Sequence, residues 1–382
     1  ALFFQLSRGL RHTNYELFVE ETMINRERLV KTFCDLVKID SPSGEEDEIR
    51  VELARRLGDL GFAVQQDSYG NLIATEEGDD PLLLSAHMDT VEPGRGIKPS
   101  VDGDNIVSDG TTILGGDCKA GITAILEGLE SIKEDRNNRI PVELVFSREE
   151  EVGLIGARNL DMSMLKAKRG VVFDGNGPPS KITKASPTYI SFKIDVTGRA
   201  AHAGVEPEKG LSAVKIASEL ITNLPQGRMD DETTMNVGVI SGGSVRNAVP
   251  EHASFEGEFR SRNIESLEMI KLDINNILEE ARSKYPDAVI EETLNVEFDM
   301  YNLTDKDPMM ALVSDVITKM GKIPVIGPSG GGTDANIFNK KGVSCVCVGM
   351  GTRDMHTVRE YVPISDLYDA ALFCHSLLAR EK

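Results

Sequence analysis

The chain reads PLLLSA at residues 81–86, PVELVF at 141–146 and GVVF at 170–173, and the helical stretch KAGITAILEGLESIKED at 119–135 lies between the first two. Short apolar runs that alternate with helical stretches are typical of strands and helices stacked in layers. The same signals return with MMALVSDVITKMG at 309–321, GVSCVCVGM at 342–350 and a final helix near 366–380. The sequence therefore predicts an α/β fold with a mixed, largely parallel sheet.

Two helices are predicted ahead of these strands. The first carries its apolar residues on one face and ends before Pro42. The second is predicted to start at Ser43, which has capping-box spacing to Glu46, and to end at Gly61.

The order of predicted elements changes between about residues 186 and 298. Strands are indicated at 188–198, 233–243, 252–262 and 288–298, and helices at 210–224 and 266–285. The order βαββαβ is that of the ferredoxin-like split unit, which buries its own core. We therefore expect residues 186–298 to be a domain inserted into an α/β domain formed by 23–185 and 299–382, after an N-terminal extension at 1–22.

Composition and charge exclude several classes of protein. The chain has 382 residues, with 62 Asp and Glu against 42 Lys and Arg, so its formal net charge is -20. Such a charge repels phosphate backbones and anionic headgroups, so we expect no nucleic-acid partner. No apolar stretch approaches the roughly 18 residues of a spanning helix, so we expect no membrane association. Five cysteines without a CxxC pair favour a reducing compartment, and we expect a cytoplasmic protein.

Titratable residues follow the predicted strands of the α/β domain. PLLLSA leads into His87 and Asp89, PVELVF into Glu149, Glu150 and Glu151, GVVF into Asp174, and GVSCVCVGM into a loop with Asp354 and His356. Asp117, in GGDCKAG, opens the helical stretch that follows the first strand. The carboxyl ends of strands in an open α/β sheet form the ligand crevice. Histidines and carboxylates pointed at one crevice indicate a metal site.

Each of these residues also has an ordinary structural interpretation. Asp117 alone would be a helix N-cap, Asp174 would start a turn, and a run of three glutamates is usually a solvated surface. A metal site explains all of them at once, and Asp89 has the spacing to fix the tautomer of a ligand His87. One or two histidines with several carboxylates, and no cysteine ligand set, suit Zn²⁺, with Mn²⁺ or Co²⁺ as substitutes.

Five segments carry a family resemblance: SAHMDTV at 85–91, GGDCKAG at 115–121, EEEVG at 149–153, FDG at 173–175 and MHTVREYVP at 355–363. Together they resemble the signature segments of the dizinc exopeptidase family that includes peptidase T, carboxypeptidase G, acetylornithine deacetylase and aminoacylase. The resemblance extends from Met23 to the C-terminus and favours the peptidase T-like branch. It implies a catalytic metal-binding domain at 23–185 and 299–382, with 186–298 as a lid and dimerisation domain.

The resemblance implies a role for each residue of the predicted site. Five residues resemble the ligands of two zinc ions: His87 and Asp174 for one ion, Glu151 and His356 for the other, and Asp117 as the bridge between them. Asp89 resembles the carboxylate that orients the ligand histidine, and Glu150 resembles the general base. The family also has a cis peptide bond after the bridging aspartate, which here would join Asp117 to Cys118.

The inserted domain contributes three further candidates by resemblance. His202 in GRAAHAG resembles the lid residue that stabilises the tetrahedral oxyanion. Asn247 in SVRNAVPE and Arg260 in EFRSR resemble substrate-binding residues, and an arginine fork there would bind a carboxylate. On composition alone the three are ordinary loop, turn and surface residues. Some dimers of the family supply lid residues from the partner subunit, so the resemblance implies a homodimer.

The loop PSGGGTDANIF at 328–338 resembles the GGTD loop of the peptidase T branch, with one departure. Its glycines permit close approach of the backbone to a ligand, while Asp334 has the spacing of a helix cap. The branch has an arginine where this chain has Gly330, which removes one expected contact to a substrate carboxylate. Strict specificity for tripeptides is therefore not predicted.

The predicted function is that of a zinc-dependent exopeptidase that hydrolyses the N-terminal peptide bond of small peptides, as a tripeptide aminopeptidase does. Carboxypeptidase or N-acyl-amino-acid deacylase action is the alternative, because the shared site attacks any amide and the pocket selects the substrate. A regulatory protein with silent hydrolytic machinery is disfavoured by the presence of Glu150 and the full ligand set. We expect two Zn²⁺ ions per subunit, a small peptide substrate and a homodimer.

Overall fold

The structure, a computed structural model, describes residues 24–136 and 138–380. The predicted N-terminal extension at 1–22 lies outside the described residues. Within them, no helix combines the length and the apolar character that crossing a bilayer would take.

The helices of the described residues are α1 (Arg26–Val37), α2 (Asp47–Leu60), α3 (Gly116–Glu134), α4 (Ile155–Asn159), α5 (Ala213–Asn223), α6 (Ile264–Lys284), α7 (Pro308–Lys319), α8 (Asp334–Lys340) and α9 (Ile364–Leu378). The strands are β1 (Ala63–Gln66), β2 (Leu72–Thr75), β3 (Leu82–His87), β4 (Ser100–Asp102), β5 (Asn105–Val107), β6 (Val142–Ser147), β7 (Arg169–Gly175), β8 (Lys181–Ser186), β9 (Thr188–Thr197), β10 (Ala201–His202), β11 (Gly227–Arg228), β12 (Thr233–Gly242), β13 (Ala248–Val249), β14 (His252–Ser261), β15 (Val289–Phe298), β16 (Tyr301–Asn302), β17 (Val325–Pro328), β18 (Ser344–Gly349) and β19 (Tyr361–Pro363).

The larger sheet has a parallel centre and mostly antiparallel edges. Its order is β1-β2-β6-β3-β7-β18-β8-β16, with β17 paired to β8. The four central strands β6, β3, β7 and β18 are parallel, whereas β1, β2, β8 and β16 pair antiparallel with their neighbours along this order. The predicted α/β fold with a mixed, largely parallel sheet is therefore confirmed.

Helices pack on this sheet because the contact buries their apolar faces. α3 is buried over most of its circumference, since it packs on β3 and β7 and also contacts α1 and α9. In α1 the predicted apolar face is buried, with Leu29, Phe33 and Leu36 fully inaccessible. The predicted start of the second helix is wrong: α2 begins at Asp47, its N-cap is Glu46, and no side-chain cap forms. The hydroxyl of Ser43 donates instead to the carboxylate of Asp89.

Residues 188–298, which we call the inserted segment, contain a second sheet with its own core. The sheet has the order β11-β12-β14-β9-β15, and helices α5 and α6 pack on it. Its four long strands lie side by side in the order β12-β14-β9-β15. Numbered by their order in the chain, this is 2-3-1-4, the predicted ferredoxin-like arrangement. Phe192, Phe255 and Phe259 lie in a core cluster separate from that of the larger sheet. The chain enters from β8 and returns to β16, and these two strands pair with each other.

Candidate metal centre

The parallel centre of the larger sheet brings the predicted ligands together. His87 is the last residue of β3, and Asp174 is the last but one of β7. Glu151 lies shortly after β6, and His356 lies in the loop that follows β18. Because parallel strands present their carboxyl ends at one edge of a sheet, these side chains converge there.

Asp117 lies between the two histidines. It falls in the non-helical start of α3, and the Asp117–Cys118 peptide bond is cis, as the resemblance implies. Its Oδ1 atom is 3.1 Å from His87 Nε2, and its Oδ2 atom is 3.1 Å from His356 Nε2. Each oxygen of one carboxylate thus faces a different histidine, which is the arrangement of a bridging ligand.

One further carboxylate stands beside each histidine. Asp174 Oδ1 is 3.6 Å from His87 Nε2, and Glu151 Oε1 is 3.1 Å from His356 Nε2. We call His87, Asp117, Glu151, Asp174 and His356 the ligand cluster. In each half the donor atoms lie within 4.8 Å of one another. Imidazole nitrogen with carboxylate oxygen is a donor set that Zn²⁺, Mn²⁺ and Co²⁺ accept, so the residues fit a divalent cation.

Cys118 also places its sulfur near the first half of the ligand cluster. Its thiol donates to the carbonyl oxygen of Phe173 at 2.7 Å. The hydrogen bond directs the thiol proton to the backbone, so we do not count Cys118 among the ligands.

Burial and mutual repulsion disfavour the charged forms of most of the clustered acids. Burial raises the pKa of Asp174 to about 8, against the opposing effect of His87. Burial and then the charge of Asp174 raise the pKa of Glu150 well above its usual value. Burial acts on Asp117 in the same direction, but its hydrogen bonds with His356 and His87 outweigh it and hold its pKa low. A bound cation would compensate such a concentration of acids.

Asp89 connects three segments of the site from a fully buried position. Its carbonyl oxygen lies 2.9 Å from His87 Nδ1, which leaves Nε2 of the ring to face the ligand cluster. Its carboxylate accepts the backbone N–H groups of Glu150 at 2.9 Å and Glu151 at 3.2 Å. It also accepts a hydrogen bond from the hydroxyl of Ser43 at 2.6 Å, whereas the sequence pattern predicted that Ser43 would cap the second helix.

The three consecutive glutamates have different surroundings. Glu149 has a φ of 48° and accepts the hydroxyl of Tyr69. Glu150 is buried and its carboxylate lies within 4.8 Å of donor atoms of His87 and Glu151. The run is therefore not a solvated charged surface. His356 also has a positive φ, 63°, and strained backbone of this kind is characteristic of functional sites.

Two further acids support the site without having been assigned to it from the sequence. Glu360 is 2% exposed and its carboxylate accepts the backbone N–H groups of Leu114, Gly115 and Asp117. It lies within the segment MHTVREYVP, four residues after His356, so the motif contained it. Its contacts hold the backbone of the segment that carries Asp117.

Asp334 is not the helix cap that its spacing predicted. Thr333 is the N-cap of α8 and forms a capping box with Asn336. Asp334 is buried and accepts the hydroxyl of Ser147, the last residue of β6. Its Oδ1 atom has no hydrogen-bond partner among the described residues.

The contacts described for the three candidates of the inserted segment lie within that segment. His202 in β10 and Asn247 just before β13 are exposed neighbours, since the N–H of Ala203 donates to Asn247 O at 3.0 Å. Arg260 forms an ion pair with Glu258 at 2.6 Å and stacks 4.3 Å above the ring of Tyr189. None of His202, Asn247 and Arg260 lines the cleft beside the cluster in the described residues.

That cleft has a volume of about 370 Å³. Its lining includes Asp117, Glu150, Glu151, Asp174 and His356, together with the loop at 328–333. Arg262 donates to the carbonyl oxygen of Ser329 in that loop at 3.0 Å and so connects it to the end of β14. The cleft is large enough for a short peptide segment beside the ligand cluster.

Comparisons with known proteins agree with this fold. Residues 185–286 match the family model of the M20 peptidase dimerisation domain, and residues 71–205 match that of peptidase family M28. The protein YqjE of Bacillus subtilis is 37% identical over 360 residues, which cover 91% of this chain and 97% of that protein.

Two solved structures are similar over nearly their whole length. The aminopeptidase PepT of Bacillus cereus is 36% identical, with a TM-score of 0.84, and the match covers 93% of this chain and 98% of that one. A tripeptidase of Staphylococcus aureus is 33% identical, with a TM-score of 0.88 and the same coverage of both chains.

The chain belongs to the M20 peptidase family and is a metal-dependent peptidase. Within that family it falls in the peptidase T-like branch.

Proposed function

We propose that this peptidase removes the N-terminal residue of small peptides, with two Zn²⁺ ions held by the ligand cluster. The observation that carries the proposal is Asp117, whose two carboxylate oxygens each lie 3.1 Å from a different histidine. The similar proteins from Bacillus cereus and Staphylococcus aureus, an aminopeptidase and a tripeptidase, support an aminopeptidase over the other reactions of such a site.

The assignment of ligands follows the two halves of the cluster. His87 and Asp174 would hold one ion, Glu151 and His356 the other, and Asp117 would bridge them. Divalent ions in such a site lower the pKa of a bound water and polarise a carbonyl oxygen. Zn²⁺ is proposed because it takes imidazole and carboxylate ligands in sites of this kind, and Co²⁺ and Mn²⁺ are suitable substitutes.

Glu150 is proposed as the general base. It is held at its backbone by Asp89 and directs its carboxylate to the edge of the ligand cluster. One carboxylate oxygen would take a proton from the attacking water and then deliver it to the amine of the leaving peptide. Asp89 orients His87 and fixes the position of Glu150, so its role is one of positioning.

His202, Asn247 and Arg260 are proposed to act on the substrate from the inserted segment. His202 would donate a hydrogen bond to the developing oxyanion, and Asn247 and Arg260 would bind the peptide. Their separation from the cleft means that these roles require either movement of the inserted segment or a partner subunit.

A homodimer formed through the inserted segment is also proposed. The match to a dimerisation domain at residues 185–286 supports it. β11 pairs with only the first part of β12, and the exposed Val239 and Ile240 lie on the remainder of that strand. An open strand edge with apolar side chains is suited to pairing with a second copy.

A reducing, cytoplasmic location is proposed from the cysteines. All five are free thiols, and four of them are buried. Proteins of oxidising compartments more often pair their cysteines as disulfides.

A product assay tests the proposed reaction. The Zn²⁺- or Co²⁺-loaded protein is incubated with tri-alanine and, separately, with its N-acetylated form, and the products are identified by mass spectrometry. Release of the N-terminal alanine from the free peptide alone is the expected result. Cleavage of the acetylated peptide, at the acetyl group or at the C-terminal residue, would contradict it and indicate a deacylase or a carboxypeptidase.

A further inference from the structure

One lysine lies in a cleft otherwise rich in carboxylates. Lys181, the first residue of β8, is the single lysine or arginine among the described residues that line the cleft beside the ligand cluster. Its ammonium group donates to the side-chain oxygen of Asn176, which lines the same cleft.

The surroundings leave this ammonium group available to an anion. Its one hydrogen-bond partner in the described part of the chain is a neutral amide, and it forms no ion pair there. The side chain is exposed to the cleft. The stem passes over Gly177, where a Cβ atom would lie 3.6 Å from Lys181 Cδ. A positioned cation without a carboxylate partner is a ready site for a charge-assisted hydrogen bond.

The position also suits a short substrate. Asn176 follows Asp174 of the ligand cluster by two residues, so their Cα atoms are about 7 Å apart at most in extended backbone. An extended peptide advances roughly 3.3 to 3.6 Å per residue. A group that binds beside Asn176 is therefore one or two residues away from a peptide bond held at the cluster.

We propose that Lys181 binds a carboxylate of the peptide substrate and thereby selects short or acidic peptides. This inference rests on the proposed peptide substrate. The carboxylate is either the C-terminal one or the side chain of an acidic residue, and both present the same chemistry to the ammonium group. Because Lys181 belongs to the α/β part of the chain, this contact does not depend on how the inserted segment moves.

Two matched pairs of peptides distinguish these sources: tri-alanine against its C-terminal amide, and Glu-Ala-Ala against Gln-Ala-Ala. In each pair one member has a carboxylate where the other has an amide. We expect the metal-loaded enzyme to have a lower KM for the charged member of one pair than for its neutral counterpart. Lys181→Met is expected to raise that KM about 10- to 100-fold and to leave the kinetics of the neutral member unchanged.

Two further variants provide the controls. Lys181→Arg keeps the charge and is expected to retain the preference. Lys184→Met removes a half-buried lysine from the same strand, and Lys184 does not line the cleft, so this variant is expected to behave as the native enzyme. Equal KM values for Lys181→Met and the native enzyme on all four peptides would overturn the inference.

Calorimetric binding of the same four peptides to the metal-loaded protein separates this inference from the proposed reaction. If no peptide is hydrolysed, the proposed function fails, yet weaker binding of a charged peptide to Lys181→Met still supports the carboxylate site. If hydrolysis occurs and Lys181→Met has no effect on KM or on binding, the proposed function stands and the role of Lys181 is wrong.

Discussion

The carboxylate of Glu360 accepts the backbone N–H of Asp117 at 3.1 Å, and it accepts those of Leu114 and Gly115 at 2.8 Å each. Three backbone donors thus converge on one buried acid: two lie just ahead of the residue that faces both histidines, and the third belongs to that residue. Glu360 therefore holds the backbone at Asp117, and in the described contacts its carboxylate bonds no side chain of the ligand cluster.

Glu360→Gln is therefore expected to weaken metal binding about 10- to 100-fold. The amide group of glutamine has one oxygen in place of two. Its NH2 group would face backbone N–H groups, and it cannot accept hydrogen bonds from them. Titration of the metal-free protein with Zn²⁺ in the presence of a competing chelator measures the effect. Glu77→Gln, at an exposed position, serves as the control. Equal affinities for the two variants would contradict the positioning role.

Ser43→Ala tests the contact that fixes Asp89. The substitution removes a 2.6 Å hydrogen bond to a buried carboxylate, and hydrogen bonds to charged groups contribute about 1.5–3 kcal/mol. We expect the free energy of unfolding in urea to fall by about that amount. Ser68→Ala, at an exposed position, is the matched control, and a loss no larger than that of the control would show that the contact is unimportant.

Gly121→Ala tests how closely α3 approaches β7. A Cβ atom at Gly121 would lie 2.2 Å from the carbonyl oxygen of Phe173, so backbone must move to accept it. We expect destabilisation of about 1–3 kcal/mol, as measured by urea unfolding. Gly58→Ala in α2 is the comparison, because nothing lies within 4 Å of its Cβ position. There we expect a gain of about 0.5–1 kcal/mol, and a gain at Gly121 would refute the close packing.

Metal binding is expected to stabilise the protein through the ligand cluster. A ligand that binds only the folded state adds about 2.7 kcal/mol when its free concentration is 100 times its Kd. The Tm of the native chain should therefore rise with added Zn²⁺ after treatment with a chelator. In Asp117→Asn, which loses one bridging oxygen, the rise at the same Zn²⁺ concentration should be smaller. An identical rise in Tm in both proteins would show that Asp117 does not contribute to metal binding.

The central strands of the fold were predictable because burial on both faces produces continuous apolar runs. β3, β6, β7 and β18 all follow from such runs. β8, with the sequence KITKAS, and the three-residue strands β4, β5 and β19 have no comparable run. Their pairing depends on neighbours distant in the sequence, and it was not predicted.

The candidate ligands were predictable from their places after strands, but the supporting contacts were not. Ser43 reaches Asp89 across 46 residues, and Asp334 reaches Ser147 across 187. Local spacing gave both Ser43 and Asp334 the pattern of helix caps, and the tertiary hydrogen bonds prevailed over that local preference. The two partners of such a contact are too far apart in the sequence to be recognised from a short local pattern.

The most direct test of the proposed reaction is a joint measurement of metal content and turnover in Glu150→Gln. The substitution keeps the size of the side chain and leaves the five residues of the ligand cluster in place. We predict the metal content of the native enzyme and a fall in kcat of about 10² to 10⁴ on tri-alanine, the amount that general acid–base catalysis supplies. Native turnover with metal bound would contradict the role of Glu150.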